Sequence, residues 1–192
     1  MVITDNELIV VKRITRGVDI VMECVDDGTS LKHYAYNPVT CNEATTLDLC
    51  IQLVKGGIAL SKSGICSLDL THTNNTLVDK NGTLKYIDYE DRRIGTPEEA
   101  AKSNFSGVKK MVFGILKNNF SKTLYKKLLN KMGYILKVKE ERHSPRFYYL
   151  GAEGVLYNPV DVFEVDSDKN NLNGLLTALN ELQEEQNVKV PP

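Results

Sequence analysis

The clearest pattern in the chain is helical. From Asn42 to Lys62, apolar residues recur at Leu47, Cys50, Ile51, Val54 and Ile58, the spacing that gathers them on one helix face. Asn42 stands where a side-chain oxygen takes up the first free backbone N–H groups, so the helix is predicted to start there. Gly56-Gly57 lowers its intrinsic helicity but leaves room for a close neighbour. The same spacing predicts helices from Ser106 to Asn118, from Ser121 to Met132, and from Asn170 to Gln186. In the last, Leu172, Leu175, Leu176, Leu179 and Leu182 form a stripe that must dock on the body of the molecule or on a second copy. Thr96-Pro97-Glu98-Glu99 reads as a helix start, with a cap, a proline in the first turn and two acids that suit the helix dipole.

Short β-rich runs fill the intervals. Glu7 to Lys12 and Val18 to Cys24 read as an antiparallel hairpin joined by a polar link ending in Gly17. Thr76-Leu77-Val78 and Leu84-Lys85-Tyr86-Ile87 flank Asp79-Lys80-Asn81-Gly82, whose composition is that of a tight turn. After Gly133 the runs Tyr134 to Lys139, Arg146 to Leu150, Gly154 to Tyr157 and Val160 to Val165 suggest a small, aromatic-rich β element. The expected division is therefore residues 1–132 as one domain and 133–192 as a β-rich segment with an amphipathic helix.

A hairpin brings its outer ends together, so Asp69 and Asn75 on one side are expected near Asp88 on the other. Two acids and an amide are hard oxygen ligands suited to Mg²⁺ and a phosphate-bearing ligand. The stretch Ser67 to Glu90 resembles the catalytic loop and metal-binding strand of the protein-kinase-like fold, in which an Asp base is followed by an Asn ligand, a short hairpin and Asp-Phe-Gly. Ala59 to Cys66 is similar to the end of the helix that feeds that loop, and Val18 to Leu31 to the strand and hinge where adenine docks. The resemblance covers residues from about 7 to 117. It implies Asp69 as catalytic base, Asn75 and Asp88 as metal and cofactor ligands, and Glu23 and Val25 at the adenine, with Mg²⁺ and ATP as cofactors.

The departures are specific. Ser67-Leu68 stands where many protein kinases carry His-Arg, and Tyr89-Glu90 replaces Phe-Gly. The interval from Asp69 to Asn75 is one residue longer than the usual spacing; Asn74 would restore it, and both asparagines remain candidates. The chain is expected to begin at about the family's fourth strand, without the Gly-rich phosphate loop or the phosphate-binding Lys.

Composition narrows the classes. The 192 residues are 42% hydrophobic and 26% charged with a net charge of −1, an ordinary globular balance that speaks against general nucleic-acid affinity. Lysines and no acids lie between Phe105 and Lys139, from Lys109 to Lys139; solvated helix faces account for them, with an anion-binding patch as the sharper reading. Cys24, Cys41, Cys50 and Cys66 lack metal-ligand spacing and are expected to be reduced and buried. No apolar run is long enough to span a bilayer and the N-terminus lacks signal-peptide character, so a cytoplasmic place is expected, in a host cell or virion if the chain is viral. His33 is expected to be a surface or hydrogen-bonded residue rather than a ligand.

The resulting expectation is an α+β fold on a kinase-like C-terminal lobe, mainly helical with short β-hairpins, lacking the Gly-rich N-lobe and carrying a C-terminal β and helical appendage. The function expected first is a pseudokinase-type interaction or structural module, such as a viral or phage assembly component, acting with a protein partner or as a homo-oligomer. The alternative is an atypical Mg-ATP-dependent phosphotransferase.

Overall fold

The computed structural model describes residues 13–14, 20–21, 28–35, 37, 41–67, 72–87, 92–118, 122–136, 162–164 and 167–187. In chain order the strands β1 (Arg13–Ile14), β2 (Ile20–Val21) and β3 (Thr29–Ser30) precede the helices α1 (Leu31–Ala35) and α2 (Glu43–Lys62). Strand β4 (Ile65–Ser67), a 3₁₀ turn (Thr73–Asn75), β5 (Thr76–Val78), β6 (Leu84–Tyr86) and β7 (Arg92–Ile94) follow. Helices α3 (Pro97–Asn118) and α4 (Lys122–Lys131), strands β8 (Tyr134–Leu136) and β9 (Val162–Glu164), and α5 (Leu172–Asn187) complete the series. The fold is α+β, mostly helical, with small antiparallel sheets.

Helix α2 starts where the sequence predicts. Asn42 Oδ1 accepts the Thr45 N–H at 3.0 Å, and Thr45 Oγ1 accepts the Asn42 N–H at 2.8 Å, a reciprocal cap. Its buried residues exceed one face, because α3, α5, β4 and β6 all pack on it. Leu47, Leu53, Val54 and Leu60 form the centre of the core. The helix ends at Gly64, whose positive φ of 68° suits only a residue without a side chain. A Cβ there would also strike the carbonyl of Gly95.

Beyond Gly64 the chain pairs β4 with β7 antiparallel, setting Ile65 opposite Ile94, Cys66 opposite Arg93 and Ser67 opposite Arg92. Strands β3, β5 and β6 form a second antiparallel sheet in that order. The turn between β5 and β6 is closed by Asp79, whose Oδ1 accepts the N–H groups of Asn81 and Thr83, each at 2.8 Å. Gly82 has a φ of 79°, as the turn chemistry predicts.

Two expectations change, and a third lies partly outside the described residues. The helix expected from Ser106 is one continuous helix from Pro97, because Ala100, Asn104 and Phe105 extend the buried row of Val108, Val112 and Ile115. The polar Asn104 interrupts the apolar period in the sequence, although it is fully buried. At the N-terminal hairpin, the described ladder joins Arg13–Ile14 to Ile20–Val21; Glu7 to Lys12 lies outside the described residues. In α5, Ala178 takes the buried place expected of Leu176, which is only partly buried. The stripe of Leu172, Leu175, Leu179 and Leu182 docks on the body, against α2, α3 and α4. Among the described residues, no helix is long and apolar enough to cross a membrane.

Candidate functional site

The hairpin β5–β6 is the element on which the candidate site depends, and α2 holds it in two places. Tyr86 is buried with its ring over Gly56, where a Cβ would overlap the ring, and its hydroxyl donates to the Leu53 carbonyl at 2.7 Å. One turn earlier, Gln52 meets the hairpin backbone with both ends of its amide. Its Oε1 accepts the Leu84 N–H at 2.8 Å and its Nε2 donates to the Gly82 carbonyl at 3.0 Å. Asp48 Oδ2 takes a further bond from Gln52 Nε2 at 2.6 Å, which fixes the amide orientation. A glycine with space above it and a glutamine facing a strand edge thus fix the position of the hairpin.

At the mouth of the hairpin, the Ile87 N–H donates to the Asn75 carbonyl at 2.9 Å, extending the pairing one step beyond Thr76 and Tyr86. Asn75 is partly exposed at the end of the 3₁₀ turn, and Asn74 is exposed beside it. The residue that precedes Asp88 in the chain is therefore hydrogen-bonded to the proposed amide ligand. Asp69 and Asp88 themselves, like Glu23 and Val25, lie outside the described residues. A half-exposed amide at a strand mouth has the hard oxygen donor that Mg²⁺ takes. Among the described residues, no group of three or more His, Cys, Asp or Glu side chains is arranged to hold a metal ion.

The strand β4, which leads towards Asp69, is held from the inside. Asn104, fully buried on α3, donates from Nδ2 to the Ile65 carbonyl at 2.8 Å and to Ser61 Oγ at 3.0 Å. Ser61 Oγ in turn donates to the Gly57 carbonyl at 2.7 Å. The sequence offers no local signal for Gln52 or Asn104, since their partners lie some thirty to forty positions away along the chain. After β7 the chain enters α3 through a second reciprocal cap. The Thr96 N–H donates to Glu99 Oε2 at 2.9 Å, and Thr96 Oγ1 accepts the Glu99 N–H at 3.2 Å. The backbone bond from Thr96 is the main reason the Glu99 carboxyl titrates below its ordinary range.

The lysine-rich stretch is partly neutralised within the molecule. Lys131 Nζ lies 2.8 Å from Glu181 and 2.9 Å from Glu185, and Lys127 Nζ 3.0 Å from Glu185, tying α4 to α5. The bonds from Lys131 and then Lys127 pull the Glu185 carboxyl down to about 2, while those from Glu181 and Glu185 raise the Lys131 ammonium. Lys109 sits over the Phe105 ring, 4.8 Å from its centroid, and bonds to Asn170. Acids absent from the stretch itself arrive from α5.

Other candidates resolve simply. His33 is exposed and its Nδ1 lies 2.8 Å from Ser30 Oγ, the capping contact of a short helix. Cys41, Cys50 and Cys66 are buried thiols, and burial, with Cys41 as a lesser cause, pushes the Cys50 thiol up. Cys24 lies outside the described residues. A cleft of about 490 Å³ is lined by Tyr34, Thr45, Asp48, Leu49, Lys80 and Gln183 among others. It opens at the turn end of the hairpin, beside Lys80, Asn81 and Gly82. In comparisons with known proteins, no family model and no curated sequence matches this chain.

Proposed function

We propose that the chain is a kinase-like module that works chiefly by binding, as an interaction or structural component with a protein partner or a second copy. The observation that carries this reading is the succession from α2 through β4, the 68–71 segment and the β5–β6 hairpin to β7, with Asn75 bonded to Ile87 at the mouth. It is the order in which a kinase-like lobe presents its feeding helix, catalytic loop and metal-binding strand. Binding is placed ahead of turnover because β7 pairs back onto β4 and Thr96 caps α3. A strand and a helix cap thus occupy the stretch where a substrate-docking segment would lie. Ser67-Leu68 and Tyr89-Glu90, in place of His-Arg and Phe-Gly, point the same way.

The second reading, an atypical phosphotransferase, draws on the contact between Asn75 and the residue before Asp88. In that reading Asn75 or Asn74 and Asp88 hold Mg²⁺, which would neutralise charge on the ATP phosphates. Asp69 orients the acceptor hydroxyl and takes its proton. Glu23 and Val25 lie alongside the adenine.

The deciding experiment is thermal unfolding of the full chain with and without Mg-ATP, for the wild type and Asp88→Ala. The binding module predicts no shift with nucleotide and an unchanged oligomeric state in the variant. Ligand at a hundred times its dissociation constant would stabilise by about 3 kcal/mol. Such a shift, lost in Asp88→Ala, would replace the first reading with the second.

A further inference from the structure

We propose that the outer edge of β7 is a docking strand for an extended, acidic segment of a partner protein. Among the described residues, β7 has one neighbouring strand, β4. The Gly95 N–H donates to the Gly64 carbonyl at 2.9 Å, which sets the phase of this antiparallel ladder. Hydrogen-bonded pairs alternate along it with pairs whose backbone groups turn away from the facing strand. Ile65 and Ile94 are a pair of the second kind. The Ile65 carbonyl turns from β7 and is taken up by Asn104 Nδ2 at 2.8 Å. Ile94, directly opposite, turns its N–H and C=O to the other side of the ladder, where they meet no hydrogen-bond partner among the described residues. An edge of that kind is a template for an added strand.

The side chains select the strand that fits. Ile94 is 62% exposed, the one large apolar residue that the described structure leaves in solvent. A single exposed apolar residue is ordinary on a surface, but this one lies on a strand edge, where sheets guard themselves with charge or proline. Arg93 beside it is exposed, and Arg92 gives the strand a second positive charge. The acids that follow are engaged: Glu98 lies 3.5 Å from Lys102, and Glu99 accepts the Thr96 N–H. A second copy is the poorer occupant. Pairing β7 with itself, Ile94 opposite Arg92, sets Arg93 against Arg93, and like charges directly across a ladder destabilise it. A segment that alternates apolar and acidic residues bonds to the Ile94 backbone, covers its side chain on one face and meets Arg93 on the other. The proposal rests on the binding reading only in taking a protein as the partner.

NMR titration of the full chain with three end-capped peptides tests this. One alternates valine and glutamate, one has lysine in place of glutamate, and one is the glutamate peptide N-methylated throughout. The glutamate peptide should shift the amides of residues 92–95 and slow exchange at Ile94, leaving residues 76–78 and 84–86 unchanged. The other two peptides should not bind. Arg93→Glu should weaken the glutamate peptide at least about fivefold, the worth of one exposed ion pair. Ile94→Pro removes the outward N–H, spares the ladder bonds to β4, and should abolish binding. If Ile94→Pro does not fold, the methylated peptide decides the same point from the ligand's side. Equal binding of the glutamate and lysine peptides, shifts spread beyond β7, or no shift with the glutamate peptide overturns the proposal. Protection of residues 92–94 that rises with protein concentration alone also overturns it and assigns the edge to a second copy. A nucleotide-dependent stabilisation lost in Asp88→Ala would replace the binding reading and leave the peptide result to decide the edge.

Discussion

The ring of Tyr86 occupies the space that a side chain at Gly56 would fill. A Cβ on Gly56 would overlap the ring edge and lie 2.8 Å from Cδ2, inside any ordinary contact. The strand residue and the helix glycine are complementary in shape, and the Tyr86 hydroxyl completes the fit at the Leu53 carbonyl.

Gly56→Ala should therefore destabilise the protein although alanine is the better helix former. The helical gain is up to about 1 kcal/mol, whereas overpacking a filled interior costs about 1–3 kcal/mol. Urea denaturation should show a net loss. Tyr86→Phe, which keeps the ring and removes the hydroxyl, should cost about 1 kcal/mol. A Gly56→Ala variant more stable than the wild type would show that the ring has room to move.

Gln52→Ala leaves the Leu84 N–H and the Gly82 carbonyl without their helix partner. The expected loss is about 1–3 kcal/mol, concentrated in the hairpin. Amide exchange at Leu84 should rise more than at Leu60 on the same core helix. Uniform acceleration would mean that the amide does not anchor the hairpin.

The ion cluster between α4 and α5 predicts a pH dependence with a definite sign. Glu185 titrates at about 2 in the folded chain against an ordinary 4.5, so its contribution is complete above 4.5 and fades as the pH falls towards 2. Lys131 is shifted up, so its contribution is complete below 10.5 and is lost as the pH rises through its raised value. Glu185→Gln should lower the Tm slightly at neutral pH and by less in high salt, and the difference should vanish at the acid end. A difference that grew on acidification would contradict the pairing.

Cys41, Cys50 and Cys66 should resist alkylation in the native protein and react readily once it is unfolded. All three are buried, and for Cys50 burial also disfavours the reactive thiolate. Mass-spectrometric mapping of labelled peptides would show this residue by residue. Rapid native labelling of Cys50 would place it nearer solvent than the structure does.

What could be read from the sequence was local. The cap at Asn42, the turn from Asp79 to Gly82, and the helix start at Thr96 each depend on residues within four positions of one another, and each is found. The amphipathic stripe of α5 was visible, but its docking face was not, since a stripe does not name its partner. Two polar residues inside helices carried no local sign of their importance. Gln52 is a backbone partner for β6, and Asn104 is the bonded polar residue in the buried row of α3. The ion pairs of the lysine stretch were not legible for the same reason, because the counter-charges of Lys127 and Lys131 are some fifty to sixty residues further along. At the candidate site the expected hairpin is found, with Asn75 at its mouth, while Asp69, Asp88, Glu23 and Val25 lie outside the described residues.

Strand β4 and the β5–β6 hairpin both take their position from one helix. Tyr86 is registered at Leu53 and the Asn104–Ser61 contact two turns later, about 12 Å along the axis. Helix α2 is in this sense a phase reference. One residue added or removed between Leu53 and Ser61 would rotate one anchor by about 100° relative to the other and shift it by about 1.5 Å. This interval of α2 cannot change in length without moving one anchor against the other. A functional homologue should preserve the count of residues between its hairpin-bearing glycine and its strand-bearing serine more strictly than the identity of the residues between them.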